Sequence, residues 1–273
     1  MNRDSTPWVL PILLAVGIFA AIWYYYWSMI RQQAVSAPEV QQSVPLDSEV
    51  PDTSSGPLHP IDTVEFPEDS SADLRPLPQL DDSDQYFKLE LTDLFGDPVG
   101  ELLAESRIIE RVVATVDNLP RSHVAERMRP VAGLTNAFVA DPEGGDLFAI
   151  SEESYRRYDA IVGIVEQSDI DELVDLYRRY YPLIQDAYVE LGYPDGYFND
   201  RLVEAIDDML ATPDLAGKIL LVRPHVLYQF QDPDLEARSS GQKLLLRMGH
   251  DNATKIKTRL EQLRIAIANE DLQ

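Results

Sequence analysis

From Thr6 to Ile30 the chain carries no charged side chain, and this run limits its structure more severely than any other stretch. Residues 8–30 read WVLPILLAVGIFAAIWYYYWSMI. At a rise of about 1.5 Å per residue, roughly 20 apolar residues cross the hydrocarbon core of a bilayer. Trp23, Tyr24, Tyr25, Tyr26 and Trp27 crowd one end and Trp8 marks the other, as expected of amphipathic rings at headgroup level. Pro11 falls in the first turn or so, where a missing N–H costs least. A cleavable signal peptide has a shorter apolar region and small residues at its cut. Here the run is long and aromatic, and Pro38 would directly follow the small residues Ala34 to Ala37. Residues 1–31 are therefore expected to be a tail and an uncleaved transmembrane anchor, in contact with membrane lipid through residues 8–30.

Arg3 and the terminal amine precede the span and only Arg31 closely follows it; residues 32–74 contain no Lys or Arg. The positive-inside rule then favours the short N-terminus in the cytoplasm and the remainder outside it, which in a Gram-negative host is the periplasm. Gly17 and Ala21 form a small-xxx-small pair that would allow a homodimer, although such residues are ordinary in spans.

Residues 32–83 hold 11 acidic side chains against the single base Arg75, and eight of the 19 prolines fall between Pro38 and Pro78. A segment so charged and so poor in aromatics cannot bury enough apolar area to offset ordering entropy. It is expected to be a disordered acidic linker. The whole chain has a net charge of −24, a field that repels phosphates and argues against binding nucleic acid. Zero Cys removes disulfides, thiol nucleophiles and Cys-based metal sites.

From residue 84 to 273 the apolar residues become periodic, and the expected fold is one mainly α-helical domain with a small β-hairpin. Ser83 is placed to cap a helix through residue 95, Asp97-Pro98 opens a short one to 104, and Ser106 caps another through 119. The last would turn Ile108, Ile109, Val112, Val113 and Val116 to one side. A short amphipathic piece is expected at 121–129, and strands at 136–140 and 147–150 around the turn Asp141 to Asp146. Ser151, followed by Glu152 and Glu153, suits a helix start. Residues 168–191 give the clearest helix, with Leu173, Tyr177, Tyr180, Ile184, Ala187 and Leu191 three or four apart, a kink or split at Pro182 and Gly192 as its stop. Further helices are expected at 197–211, 239–248 and 252–269, the last turning Ile256, Leu260, Leu263 and Ile267 inward. Short strands are expected at 219–222 and 226–230.

Catalytic signatures are sparse. His59, His123, His225 and His250 are scattered, with no H-E-x-x-H, and no cofactor motif is present. Ser240 to Lys243 fits S-x-x-K, the serine–lysine pair of penicillin-recognising enzymes. However, Tyr197-Phe198-Asn199 precedes it in the chain and no K-T-G occurs, so Ser240 reads better as a helix cap. Asp141, Glu143 and Asp146 share a Gly-containing turn but not the spacing of a calcium loop, so no metal site is assigned.

The densest feature is aromatic. Eight of the 13 Tyr residues fall between Tyr155 and Tyr197, and Tyr155-Arg156-Arg157-Tyr158 recurs as Tyr177-Arg178-Arg179-Tyr180. Each copy would put two Tyr on one helix face. Residues 192–201, GYPDGYFNDR, then pack a tight turn, three aromatics and polar groups together. Tyr177, Tyr180, Tyr193, Asp195, Tyr197, Asn199, Asp200 and Arg201 form the candidate binding surface, suited to a peptide or glycan groove. Their structural alternative is half-buried Tyr with Asp195 or Asn199 capping a helix and Arg201 in an ion pair.

The phrases ATVDNLPR (114–121), YYPLIQDAYVELGYPDGYFNDRLVEAID (180–207), LVRPHVLYQF (221–230) and GQKLLLRMG (241–249) resemble the proteobacterial domain-of-unknown-function family numbered 3014. The resemblance runs from about residue 80 to 267. It implies a bacterial host and an envelope location, and brings no activity and no catalytic residues with it. The reading that follows is a binding or scaffolding module on an envelope protein or peptidoglycan. The alternative is a hydrolase of envelope glycans that would draw its two carboxylates from Glu190, Asp195 and Asp200.

Overall fold

A computed structural model of the chain describes residues 56–61, 77–122, 130–131 and 137–268. The anchor at 8–30, with Gly17 and Ala21, and residues 123–129 of the short helix expected at 121–129 lie outside the described residues. Among the described residues no helix is long and apolar enough to cross a membrane. Two stretches of the segment expected to be disordered are instead held on the helical domain. Leu77 and Leu80 pack on its core, and Leu58 and His59 give their backbone N–H groups to the Asp200 carboxylate.

Helices α1 (Asp84–Phe95), α2 (Asp97–Leu102) and α3 (Ile108–Asn118) form the first layer. In α3, Ile108, Ile109 and Val113 are fully buried and Val112 and Val116 pack beside them, on the face that the spacing predicts. The caps come from elsewhere. Ser83 has helical dihedrals and no cap bond, and Arg107 rather than Ser106 precedes α3, in a left-handed conformation with φ of 56°. The N–H groups of Arg107 and Ile108 donate to the Asp84 carboxylate at 2.7 and 2.8 Å, so the acid at the start of α1 caps α3.

Residues Ala140–Gly144 (β1) and Leu147–Ile150 (β2) pair antiparallel, with Asp141 opposite Ala149 and an irregularity between Pro142 and Gly144. Asp141 and Glu143 thus lie in a strand rather than in the turn. The hairpin is half of a four-stranded antiparallel sheet in the order β1-β2-β3-β4, completed by Leu220–Val222 (β3) and Gln229–Phe230 (β4). Val226 and Leu227, expected in the last strand, stand in the exposed β3–β4 connection. Of that apolar run Phe230, opposite Leu221, is buried and Tyr228 packs against Phe148, while Val226 and Leu227 face solvent ahead of the strand.

Ser151 caps α4 (Glu152–Arg156) through its side chain, and α5 (Asp159–Gln167) follows Tyr158. Tyr155 and Tyr158 therefore do not share one helix, unlike their counterparts Tyr177 and Tyr180. Those lie in α6 (Ile170–Glu190), capped by the Asp169 carboxylate. The helix is not split at Pro182, because Tyr180, Leu183, Ile184 and Ala187 on both sides of it are buried in one core. Gly192 ends it at a positive φ of 119°. Helix α7 (Phe198–Leu210), the single turn α8 (Pro233–Glu236), α9 (Ser240–Met248) and α10 (His250–Ile267) complete the described chain. Ser239, one residue earlier than expected, caps α9. Ile256, Leu260, Leu263 and Ile267 of α10 all pack inward.

The core has one large helical part, where α1 and α3 meet α6 around Tyr180, Ile184 and Phe198. A second part lies under the sheet around Leu221, and a third joins α6 and α7 to the end of α10. The first turn of α7 stands between the first and the third of these parts.

Candidate functional site

Helix α7 begins with no side chain of its own for a cap. Instead Gln185, on the neighbouring turn of α6, accepts from the N–H of Phe198 at 2.9 Å and donates to the Gly196 carbonyl at 2.7 Å. Neither Asp195 nor Asn199 is the cap. This anchors the loop 192–197 and turns three consecutive residues, Asn199, Asp200 and Arg201, in different directions from one rigid helix turn.

Asn199 is completely buried. Its carbonyl accepts from the Tyr177 hydroxyl at 3.0 Å, and its amide donates to the carbonyls of Ile267 at 3.0 Å and His59 at 2.9 Å. A fully used buried amide fixes its neighbours in place, because any lost partner would leave a polar group dry. Asp200 accepts from the backbone N–H of Leu58 at 3.0 Å and of His59 at 2.8 Å, one on each carboxylate oxygen. The His59 ring nitrogen Nδ1 lies 3.4 Å from the Ala268 carbonyl, at the C-terminal end of α10. Together α6, α7 and the end of α10 make a shelf that holds two successive residues of a bent segment by their main chain. Burial, and then the neighbouring Tyr181 and Asp200, hold the Tyr177 hydroxyl well above the ordinary tyrosine range, so it stays a neutral donor to Asn199.

Arg201 points the other way. Its Nε lies 3.1 Å from the buried carboxylate of Asp117 in α3, and its Nη2 also donates to the Asp117 carbonyl. Arg121 reaches the same carboxylate at 2.9 Å and donates to the Tyr193 hydroxyl at 2.6 Å. Tyr193 stacks on Tyr188, with ring centroids 4.6 Å apart and planes 17° from parallel. This second cluster uses its polar groups on itself and clamps α3 to the start of α7.

The eight residues read from sequence thus divide. Tyr177, Asn199 and Asp200 build the shelf; Tyr193 and Arg201 belong to the Asp117 clamp. Tyr180 is core, 1% exposed and packed against Phe87 at 4.8 Å. Asp195 and Tyr197 stay exposed in the turn before α7. Sequence reading missed Asp117, Gln185 and His59. Asp117 had a signal, an acid four residues after Val113 on the buried stripe of α3. Gln185 and His59 had none, since their partners lie far along the chain or on another element.

The other chemistry weighed from sequence has prosaic partners. Lys243 is engaged by the Glu236 carbonyl at 3.1 Å and its carboxylate at 3.7 Å, while Ser239 rather than Ser240 does the capping. Glu143 pairs with Lys218 at 2.5 Å, and no group of three metal-ligating side chains stands together among the described residues. A separate cleft of about 200 Å³ lies where the loop after α7 meets α9 and α10. It brings His250 Nδ1 to 2.5 Å from Asp214, with Lys257 bonded to the Thr212 carbonyl.

The sequence profile of the family described as "Protein of unknown function (DUF3014)" matches residues 108–264. The chain belongs to this family. The match contains Asp117, Arg121 and Arg201 of the clamp and Tyr177, Asn199 and Asp200 of the shelf, while Ile267 and Ala268 at the shelf's α10 edge lie just beyond it. Residues 56–61, which the shelf holds, lie outside the matched range. No curated protein and no solved structure matches the chain.

Proposed function

We propose that this DUF3014 protein is a single-pass inner-membrane protein. Residues 8–30 hold it in the lipid, and acidic Pro-rich chain separates that anchor from a periplasmic helical domain. The domain is a binding module for an envelope protein, and the shelf of Tyr177, Asn199 and Asp200 is where it engages its partner. Anchor and orientation rest on the uncharged aromatic-ended run and the placing of Arg3 and Arg31. The binding reading is carried by one observation: main-chain capture. Asp200 and Asn199 take the N–H of Leu58 and both the N–H and C=O of His59, a pattern that fits the main chain of a polypeptide bend. It favours a protein partner over the sugar strands of peptidoglycan. The glycan-hydrolase alternative gains nothing comparable. Both oxygens of Asp200 are engaged by amides, Asp195 lies in an exposed turn and Glu190 is the last residue of α6.

Two measurements test the parts separately. A C-terminal alkaline phosphatase fusion is expected to be active, and a C-terminal fluorescent protein that matures only in the cytoplasm is expected to stay dark; the reverse result removes the periplasmic placement. A photo-crosslinking residue in place of the exposed Tyr197 is expected to give a discrete adduct with one envelope protein in cells, lost on Asp200→Asn. An adduct of unchanged yield in that variant takes the shelf out of partner binding.

A further inference from the structure

The occupant of the shelf is part of the same chain, and its contacts describe how it is read. Along residues 56–61 exposure alternates. Gly56, Leu58 and Pro60 are exposed while Pro57, His59 and Ile61 are half-buried, and the chain bends at Leu58 and His59, so that two successive N–H groups turn to one side. Leu58, the largest apolar side chain of the stretch, is 79% exposed, so its side chain contributes little to holding the segment. What holds it is the main chain of Leu58 and His59, with the His59 ring resting against the end of α10. Pro57 and Pro60 bracket these two residues and fix φ near about −65° on both sides of the bend, which lowers the ordering cost of docking. Recognition through main-chain groups, rather than through a buried side chain, lets another peptide take the same place. Beneath the segment, Asn199 also has partners outside it, the Tyr177 hydroxyl and the Ile267 carbonyl.

We propose that residues 56–61 are an intramolecular ligand of the shelf, a strap that competes with a similarly bent peptide segment of the partner for Asn199 and Asp200. This inference rests on the peptide-binding reading of the shelf and adds its regulation: a partner enters only when the strap leaves. Specificity falls on the inward positions. A competing peptide needs free backbone N–H groups at the positions of Leu58 and His59, a ring or other compact side chain at that of His59, and a residue no larger than Pro or Ile two positions away. A strap seated nine-tenths of the time lowers a competitor's apparent affinity about tenfold.

The test uses the full chain in detergent micelles and a fluorescently labelled synthetic peptide of residues 54–63, SSGPLHPIDT. In the double variant Leu58→Pro/His59→Pro, both N–H groups that Asp200 accepts are gone while the helical domain is untouched. Amide hydrogen exchange is expected to show protection at Leu58 and His59 in the wild type. Fluorescence anisotropy is expected to show the labelled peptide binding the double variant about tenfold or more tighter than the wild type. Adding Asp200→Asn to the double variant is expected to abolish that gain. Unprotected amides at 58 and 59 in the wild type, or equal peptide affinity for wild type and double variant, overturn the strap while leaving the shelf as a peptide site. Protection in the wild type with no peptide bound by either protein overturns the peptide-binding reading, and the competition with it.

Discussion

Asp117 shows how much a single side chain can settle. Its carboxylate is 4% exposed and faces two guanidinium groups, Arg201 and Arg121, of which Arg201 is itself largely buried. Removing one partner of such a group leaves the others charged and poorly solvated, so Asp117→Ala is expected to cost about 3 kcal/mol in urea unfolding. Arg201→Ala in that background should add much less than it does alone, because the interaction is already gone. Tyr177 gives the complementary case of a neutral donor. Its folded-state pKa lies above that of the unfolded chain, so its contribution is complete below about pH 10 and is lost as pH rises further, when the unfolded state ionises first. Tyr177→Phe is expected to lose about 1 kcal/mol at neutral pH and to flatten the fall in stability between about pH 9 and 11. Urea titrations across that range, wild type against variant, check both halves. Of these two residues, Tyr177 was legible in the sequence by its place in a Tyr-rich helix. Asp117 was written there only as an acid on an apolar stripe.

At the scale of elements, helix positions were legible, and so were the ends set by local residues, such as Ser151 and Gly192. The stripes of α3 and α10 follow from spacing within one segment, and spacing is a local property of the chain. Two caps are tertiary and were not legible. Asp84 serves α3 from 23 residues away and Gln185 serves α7 from the preceding helix, while Ser83 and Ser106, the local candidates, do neither. Asp84→Ala is therefore expected to destabilise the domain by about 1–2 kcal/mol, whereas Ser106→Ala should stay within about 0.5 kcal/mol of wild type. Thermal unfolding of the three proteins distinguishes them. The sheet shows the same limit. Its first hairpin is readable from the turn around Gly144 and Gly145, but the pairing of β2 with β3 joins residues more than 70 positions apart. No pattern within either strand announces that register.

For the whole molecule, composition separated an uncharged run, an acidic Pro-rich stretch and a periodic domain, and the DUF3014 match covers most of the last. Composition could not say that a few residues of the acidic stretch return to the domain, because their hold on it is through backbone groups that every residue carries. That return has a topological consequence. The strap and Leu77 both rest on the domain, while the chain before residue 56 leads to the proposed anchor. A protease site introduced between 62 and 76 would sever the covalent link between the proposed anchor and the domain, and among the contacts of the described residues those of the docked strap would remain as the fastening. Covalent attachment supplies an effective concentration of the order of millimolar, which a cut abolishes. After cleavage in membrane vesicles the wild-type domain should be released at the rate at which the strap lets go. The Leu58→Pro/His59→Pro domain should be released at once. Timed sedimentation of the cut vesicles would read the lifetime of the strap's three backbone hydrogen bonds as the residence time of a whole domain on a membrane.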